Sequence, residues 1–152
     1  MSKQGFRLVN KTLLQTDSSR HIHRKQRGIF FTPPPIATRL VRSIAGALLA
    51  DPTQTVCDPF VGDGSLLAPI AERFSQARLY GVDLEQDHVD TTKDRLGKQV
   101  HIHCFDSLVT PIGVSDAKNT SWSGYFPDVF SKGGFDLVIT NPPWEKVRVN
   151  DR

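Results

Sequence analysis

The sequence predicts an α/β fold in which parallel strands form a central sheet and helices cover its faces. Short apolar, β-branched runs alternate with segments of helical periodicity, which is the pattern of repeated strand–helix–strand units. A glycine-rich turn follows the first such run, and an Asn-Pro-Pro turn follows the last. Both turns are therefore expected at the carboxyl edge of the sheet, where ligands bind in open α/β folds.

Length and composition fit one soluble domain with a basic segment before it. The 152 residues suffice for one domain, and 38% of them are hydrophobic. No apolar run reaches the length of a membrane span and no basic-then-apolar leader opens the chain, so a cytoplasmic protein is expected. Residues 1–54 carry nine Lys/Arg against two acids. We divide the chain into a basic arm, residues 1–27, and a domain, residues 28–152; the arm suits either a polyanion or solvent.

The cysteines and histidines do not indicate a metal centre. Cys57 and Cys104 lie in apolar runs and are predicted to be buried free thiols. Four of the five histidines form alternating pairs, His21/His23 and His101/His103. No cysteine or carboxylate stands near them at ligand spacing, so we interpret them as solvated or strand-face side chains.

The first helix is predicted from about Pro35 to Leu49. Thr32 precedes three prolines and is a candidate cap for this helix. Apolar residues recur at three- and four-residue spacing within it. They predict one apolar face, made of Ile36, Leu40, Val41, Ile44, Leu48 and Leu49.

The glycine-rich turn stands between the first strand, Thr55–Cys57, and a helix predicted from Leu66 to about Phe74. Gly62 and Gly64 permit positive φ angles and let backbone approach a ligand. A strand, a glycine turn and a helix in this order are typical of nucleotide-cofactor sites. A tight turn without a ligand is the alternative.

The charge of this turn distinguishes among ligands. The turn lacks Gly-Lys-Ser/Thr, and its acids, Asp58 and Asp63, would repel a phosphate. Asp58 at the strand end is instead suited to accept from a cationic amino group, and Phe60 to cover a ligand. An acidic glycine turn therefore favours a cationic sulfonium ligand over a pyrophosphate.

Two more strands are predicted to end in acids. Leu79–Asp83 is the second strand, and Asp83 lies about twenty residues beyond the glycine turn, where an acid meets ribose hydroxyls in related folds. A helix from Glu85 to Leu96 follows. Val100–Asp106 is the third strand, and Asp106 is equally suited to a ligand and to capping the next turn.

The region before the last strand is the least regular. Residues 107–134 must contain a crossover between parallel strands, and we predict a short helix near Pro127 to Ser131. The last strand, Phe135–Thr140, is apolar on both faces, and the two prolines after Asn141 end it.

The Asn-Pro-Pro-Trp turn has a specific chemical use. The side-chain oxygen of Asn141 and the carbonyl of Pro142 are neighbouring acceptors that together suit both hydrogens of one planar amino group. Trp144 offers a flat face on which a base stacks. The alternative is an ordinary strand-ending turn with a packing tryptophan.

Three motifs in one order, Phe-Thr-Pro, Asp-Pro-Phe-x-Gly-x-Gly and Asn-Pro-Pro-Trp, carry a resemblance. Over about residues 28–148 the chain resembles the DNA N6-adenine methyltransferases of restriction–modification type. The resemblance implies a Rossmann-like class I S-adenosylmethionine methyltransferase sheet, incomplete at its carboxyl-terminal side. The implied strand order is third, second, first, fourth, with the fourth at an edge. Because the family's later strands and recognition domain do not follow, we expect this chain alone not to be a working enzyme.

The resemblance also implies the cofactor, S-adenosylmethionine, and the roles of individual residues. Asp83 would accept from the ribose, Asp106 from the adenine amino group, and Phe105 would contact the adenine ring. The implied cofactor-binding residues are Phe31, Thr32, Pro33, Asp58, Pro59, Phe60, Gly62, Gly64, Asp83, Phe105, Asp106 and Asn141. The implied catalytic residues are Asn141, Pro142, Pro143 and Trp144.

The implied reaction is methylation of the exocyclic amino group of an adenine flipped out of duplex DNA. The implied partners are DNA and either a restriction or specificity subunit or a carboxyl-terminal half. Two other functions stay open at this point. One is a protein-glutamine or RNA amino-methyltransferase, which shares Asn-Pro-Pro-aromatic; the other is a cofactor-binding fragment without activity of its own.

Overall fold

The computed structural model describes residues 31–97, 100–109 and 121–143. Its four strands form one sheet in the order β3-β2-β1-β4, and every neighbouring pair is parallel. The strands are β1 (Thr55–Asp58), β2 (Arg78–Asp83), β3 (Val100–Cys104) and β4 (Leu137–Val138). The predicted α/β class and strand order are confirmed. The basic arm, residues 1–27, and Trp144 lie outside the described residues.

Helices cover both faces of this sheet. In chain order they are α1 (Pro34–Ala50), α2 (Ala68–Arg73), α3 (Gln86–Leu96), α4 (Trp122–Tyr125) and α5 (Pro127–Phe130). Helix α4 was not predicted from the sequence. The serine before it, Ser121, is of a type favoured at amino-terminal caps, and its hydroxyl accepts from the Gly124 amide at 3.2 Å.

Successive strand residues point to opposite faces, and so the sheet has two cores. Val56, Leu79 and Ile102 join the core beneath α1, α2 and α3. Cys57, Tyr80 and Val82 join an aromatic core beneath α4 and α5, which also contains Phe105, Trp122 and Phe126. The two histidines of β3 lie against this aromatic core, where His101 stacks on Tyr80 with 4.9 Å between ring centroids.

The predicted apolar face of α1 is confirmed at Val41, Ile44 and Leu48. It is wrong at Ile36, Leu40 and Leu49, which are exposed. The residues that point into the core are Ala37, Val41 and Leu48, with Ile44 packed against them. Ile36 and Leu49 are 57% and 69% exposed. Ala37 lies four residues before Val41 and therefore on the same side of the helix, whereas Ile36 is turned by about 100° from Ala37. The small Ala37 was not recognised as a core residue from its hydrophobicity.

Thr32 does not cap α1, contrary to the prediction. Pro33 occupies the cap position, and its carbonyl accepts from the amides of Ile36 at 2.9 Å and Ala37 at 3.0 Å. The prolines after it preset the helical φ angle and have no amide hydrogen to satisfy. The side chain of Thr32 is thereby available for a contact with the last strand, described below.

The fourth strand is shorter than predicted and begins at a polar contact. Phe135 lies outside it and packs in the aromatic core. Asp136 accepts from the amide and hydroxyl of Thr55, both at 2.8 Å, and its own amide donates back to the Thr55 hydroxyl at 2.9 Å. These hydrogen bonds fix the register of β4 on β1. The amide of Ile139 then donates to the carbonyl of Cys57 at 2.9 Å.

The prediction of buried thiols holds for one cysteine only. Cys57, in the central strand, is buried, whereas Cys104 is partly exposed because it ends β3, the outer strand of the sheet. Among the described residues, none of the helices combines the length and apolarity that a bilayer crossing requires. The same residues include no group of His, Cys, Asp and Glu side chains arranged to hold a metal ion.

Candidate cofactor and acceptor site

The glycine turn is tied to the second strand and to α3. The amide of Val61 donates to the carbonyl of Val82 at 2.8 Å, and the amide of Gly62 donates to Asp83 Oδ2 at 2.9 Å. The hydroxyl of Thr92 in α3 donates to the carbonyl of Gly62 at 2.8 Å. The turn after β1 is therefore held against the carboxyl end of β2, where Asp83 lies.

Gly62 and Gly64 have the positive φ angles that the sequence predicts, +55° and +76°. A Cβ on Gly62 would lie 3.0 Å from a ring carbon of Phe31, and one on Gly64 would lie 3.0 Å from Thr92 Cγ2. Two independent reasons therefore favour glycine at each position: the positive φ angle and the closeness of the neighbouring side chain. The space left by the missing side chains is filled by protein atoms here.

Asp58 is a buried carboxylate at the end of β1. Its side chain is 1% exposed and accepts from the amide of Phe60 at 3.1 Å. Burial raises the pKa of Asp58 to about 7, and the charge of Asp83 adds to the rise, although hydrogen bonds from Phe60 and the Thr140 side chain oppose it. A cationic group brought next to Asp58 would favour its ionised form.

The pKa of Asp83 is shifted in the opposite direction from that of Asp58. Asp83 Oδ1 accepts from the Glu85 amide at 3.0 Å and lies 3.0 Å from His88 Nδ1, while Oδ2 accepts from the Gly62 amide. Burial by itself raises the pKa of Asp83, but the hydrogen bonds from His88, Glu85 and Gly62 outweigh it and hold the pKa below its usual value. Asp83 is therefore the ionised acid of this edge.

The Asn-Pro-Pro turn meets the first segment of the chain at this edge. Asn141 Nδ2 donates to Thr32 Oγ1 at 3.2 Å. The amide nitrogen of Asn141, and not its oxygen, faces the Thr32 hydroxyl. The side chain of Thr140, one residue earlier, acts on Asp58 and lowers its pKa, against the rise caused by burial. The structure thus brings Thr32, Asp58 and Asn141 together. Sequence reasoning missed the contribution of Thr140.

Phe105 and Asp106 lie after the third strand, which ends at Cys104 and not at Asp106 as predicted. The Phe105 ring is buried and stacks on Tyr125 with 4.2 Å between centroids. Asp106 Oδ1 accepts from the amide of Leu108 at 2.9 Å, which is the turn-capping role that the sequence left open. Contacts of these residues with a cofactor stay predictions.

Residues 77–152, which run from β2 through the Asn-Pro-Pro-Trp turn, match the sequence profile of the Eco57I restriction-modification methylase family. The chain belongs to this family. The match covers half of the chain and begins after the glycine turn. S-adenosylmethionine is the methyl donor of Eco57I-family methylases.

A similar curated protein is the methylase subunit of the type I restriction enzyme MpnII from Mycoplasma pneumoniae. It is 29% identical over 126 residues, which are 79% of this chain and 22% of that subunit. The chain thus spans about a fifth of the length of the relative that it matches.

Solved structures of methyltransferases are more distant. TrmN from Thermus thermophilus has a TM-score of 0.45 and 23% identity over 72% of this chain and 28% of its own. An RNA methyltransferase from Salinibacter ruber, in complex with S-adenosyl-L-homocysteine, has a TM-score of 0.47 and 19% identity over 73% of this chain and 76% of its own. Similarities of this size do not identify a substrate.

Proposed function

We propose that this chain carries the cofactor-binding segments and the acceptor turn of an adenine-specific DNA methyltransferase of a restriction–modification system. The observation that supports this most is the hydrogen bond from Asn141 to Thr32, together with the effect of the Thr140 side chain on the pKa of Asp58. Both link the acceptor turn to segments assigned to the methyl donor. Donor and acceptor must be adjacent for direct transfer, because orientation supplies much of the rate.

The residues at this edge fit S-adenosylmethionine. Asp58 would pair with the amino group of its methionine part, which offsets the cost of an ionised buried carboxylate. Asp83, ionised and directed to the glycine turn, would accept from the ribose. Phe31, beside Gly62, would pack against the cofactor together with Pro33 and Phe60. When bound, the cofactor supplies a methyl group made electrophilic by its sulfonium charge.

The acceptor turn would hold the adenine amino group. Because Asn141 donates through Nδ2 to Thr32, its Oδ1 takes the accepting role. Oδ1 and the Pro142 carbonyl would accept the two amino hydrogens, which helps the nitrogen lone pair to attack. Pro143 would keep the turn rigid, and Trp144, outside the described residues, would stack on the base. The nitrogen–methyl bond forms as the sulfur–methyl bond breaks, and the amino proton then leaves to solvent, so no strong base is needed.

Two measurements test this proposal. Calorimetry of the chain should show binding of S-adenosylmethionine and not of NAD or ATP. A longer protein that contains the chain should transfer a radiolabelled methyl group to adenine in duplex DNA. Transfer to ribosomal RNA or to a glutamine of a protein, with DNA left unmodified, would replace the substrate class. NAD or ATP binding in place of S-adenosylmethionine would refute the cofactor assignment.

A further inference from the structure

His88 connects the two parts of the cofactor edge that the motifs leave separate. It lies in the first turn of α3, five residues after Asp83, and both side chains are 12% exposed. Its Nδ1 is 3.0 Å from Asp83 Oδ1. Its ring meets Phe31 edge-on, with 5.4 Å between centroids and an interplanar angle of 76°. One side chain therefore contacts both the acid at the end of β2 and the segment before α1.

In the His88–Asp83 hydrogen bond the histidine is the donor and the carboxylate is the acceptor. An ionised carboxylate only accepts hydrogen bonds, so Nδ1 carries the proton and donates. Among the described residues, Asp83 then receives three hydrogen bonds, two at Oδ1 and one at Oδ2. A carboxylate has about four acceptor positions, which leaves one at Oδ2. That oxygen is the one that reaches the glycine turn.

The rotation of Asp83 decides where this remaining acceptor position points. The Glu85 amide and His88 Nδ1 both hold Oδ1, and turning the carboxylate would break these contacts together with the Gly62 contact. The backbone contributes the Glu85 and Gly62 donors whatever the side chains are. His88 is the side-chain donor of this set, and so it is the member that a substitution removes without altering the backbone.

We propose that His88 is a positioning residue for the cofactor site: its Nδ1–H holds the Asp83 carboxylate so that Oδ2 both anchors Gly62 and accepts from one cofactor hydroxyl. The inference rests on the proposed function, because it takes S-adenosylmethionine as the ligand of this edge. His88 itself does not touch the cofactor in this arrangement.

Two amide substitutions, His88→Asn and His88→Gln, distinguish the effect of the Nδ1 donor from other effects of replacing His88. Asn places its amide nitrogen where Nδ1 of histidine lies, whereas the longer Gln places it nearer to Nε2. Gln is also the better helix former, so His88→Gln should fold at least as well as His88→Asn. His88→Phe keeps a ring against Phe31 and removes the donor.

The probe is S-adenosyl-L-homocysteine, titrated calorimetrically into the wild-type chain and the three variants. We expect the Kd to rise about tenfold in His88→Gln and His88→Phe, because the hydrogen bond from the cofactor hydroxyl to the charged Asp83 would be lost. In His88→Asn the Kd should stay within about threefold of the wild-type value. Thermal unfolding without ligand should show similar stability for the two amide variants. Equal affinity in all four proteins would overturn the inference, as would wild-type affinity in His88→Phe alone.

A second readout does not need the ligand. The amide resonance of Gly62 in a nitrogen–proton NMR spectrum reports its hydrogen bond to Asp83. It should keep its wild-type position in His88→Asn and move in His88→Gln. An unmoved resonance in His88→Gln would contradict the positioning role. A wild-type chain that does not bind the probe but shows the predicted shifts would refute the proposed function and leave the positioning of Asp83 supported.

Discussion

Asp58 and Asp83 are chemically identical side chains whose pKa values differ because their surroundings differ. Asp58 has its pKa raised to about 7, chiefly by burial, whereas three donors hold the pKa of Asp83 below its usual value. The two acids end neighbouring strands, β1 and β2, at the same edge. One is thus ready to pair with a cation, and the other is already ionised and directed by its own hydrogen bonds.

Asp58 should make the stability of the protein depend on pH. Because its pKa is raised on folding, the native state holds this proton more tightly than the unfolded state. The stabilising contribution is present below the ordinary pKa of an aspartic acid and is lost as the pH rises towards about 7. Between about pH 4 and pH 8 the free energy of unfolding of the wild type should fall by on the order of a few kcal/mol through Asp58, and Asp58→Asn should abolish this fall.

Urea unfolding of the wild type and Asp58→Asn at several pH values checks this. The free energy of unfolding should fall more steeply with rising pH in the wild type. The lowered pKa values of Asp83 and Asp136 act in the opposite direction, but at more acidic pH, and both proteins share them. Parallel profiles for the two proteins would show that Asp58 does not titrate in this window.

Asn141 should be needed for methyl transfer and not for cofactor binding. In a longer protein that contains this chain, we expect Asn141→Ala to lower the turnover number by on the order of a hundredfold or more, because an oriented acceptor is lost. The affinity for S-adenosylmethionine should stay near that of the wild type. Turnover at the wild-type rate would remove Asn141 from the chemistry.

Thr32 should act on the reaction through Asn141. Thr32→Val keeps the shape of the side chain and removes the oxygen that accepts from Asn141 Nδ2, whereas Thr32→Ser keeps the oxygen. We expect Thr32→Val to lower the turnover number more than it raises the Kd of the cofactor, with Thr32→Ser close to the wild type. The opposite ratio would place Thr32 at the cofactor alone.

At the scale of elements, the site depends on how the glycine turn is anchored. The turn is held by β2 through Val82 and Asp83 and by α3 through Thr92. Helix α3 therefore has two tasks, since it packs in the core through Val89 and Leu96 and also supports the turn. The reciprocal Thr55–Asp136 contact does the same for β4 and sets where the acceptor turn begins.

Two glycines with nearly the same φ angle allow this anchoring to be measured. Gly64 has φ +76° and Gly97 has φ +77°, but a Cβ on Gly64 would lie 3.0 Å from Thr92, whereas one on Gly97 would meet nothing within 4 Å. Gly97, with ψ −166°, has a backbone conformation that glycine alone adopts readily, so both alanine variants should lose on the order of 1–3 kcal/mol of stability. We expect only Gly64→Ala to weaken cofactor binding as well, because Thr92 must move.

Chemical denaturation measures the stability of the two alanine variants, and calorimetry with S-adenosyl-L-homocysteine measures their affinity for the cofactor product. Wild-type affinity in Gly64→Ala would mean that the turn yields without disturbing α3.

Within the part of the chain that the structure describes, β4 is an edge strand of the sheet. Among the described residues, β4 pairs with β1 alone, and its Val138 is 63% exposed. Neither lysine nor an internal proline marks this strand, and such edges pair readily with other strands. We expect the chain of residues 1–152 to self-associate in solution.

Val138→Lys should reduce this self-association, because a charge on the edge opposes strand pairing. Leu108→Lys is the matched control, since Leu108 is as apolar and is 76% exposed but lies away from β4. Sedimentation velocity over a range of concentrations measures both. If the two variants behave alike, general surface hydrophobicity and not the strand edge causes the association.

The sequence predicted most of what depends on local pattern. Apolar runs between glycine, proline and acidic residues located all four strands, and the family resemblance implied the sheet order that the structure confirms. The ends of elements were less accurate: β4 is two residues long, and Phe135, which was predicted to begin it, packs against the aromatic core. A run of residues shows strand propensity, but only its neighbours determine where pairing stops.

The α/β class, the motifs and the capacity of the glycine turn for positive φ angles could be predicted, because they follow from residue type and spacing along the chain. The partner that each polar group takes depends instead on contacts made only in the folded protein. Thr32 was expected to cap its own helix and instead meets Asn141, which is 109 positions away. Asp58 and Asp83 differ in pKa because one is enclosed and the other is surrounded by donors from a turn and a helix. Burial and hydrogen bonding depend on distances in space, and spacing along the chain does not specify them.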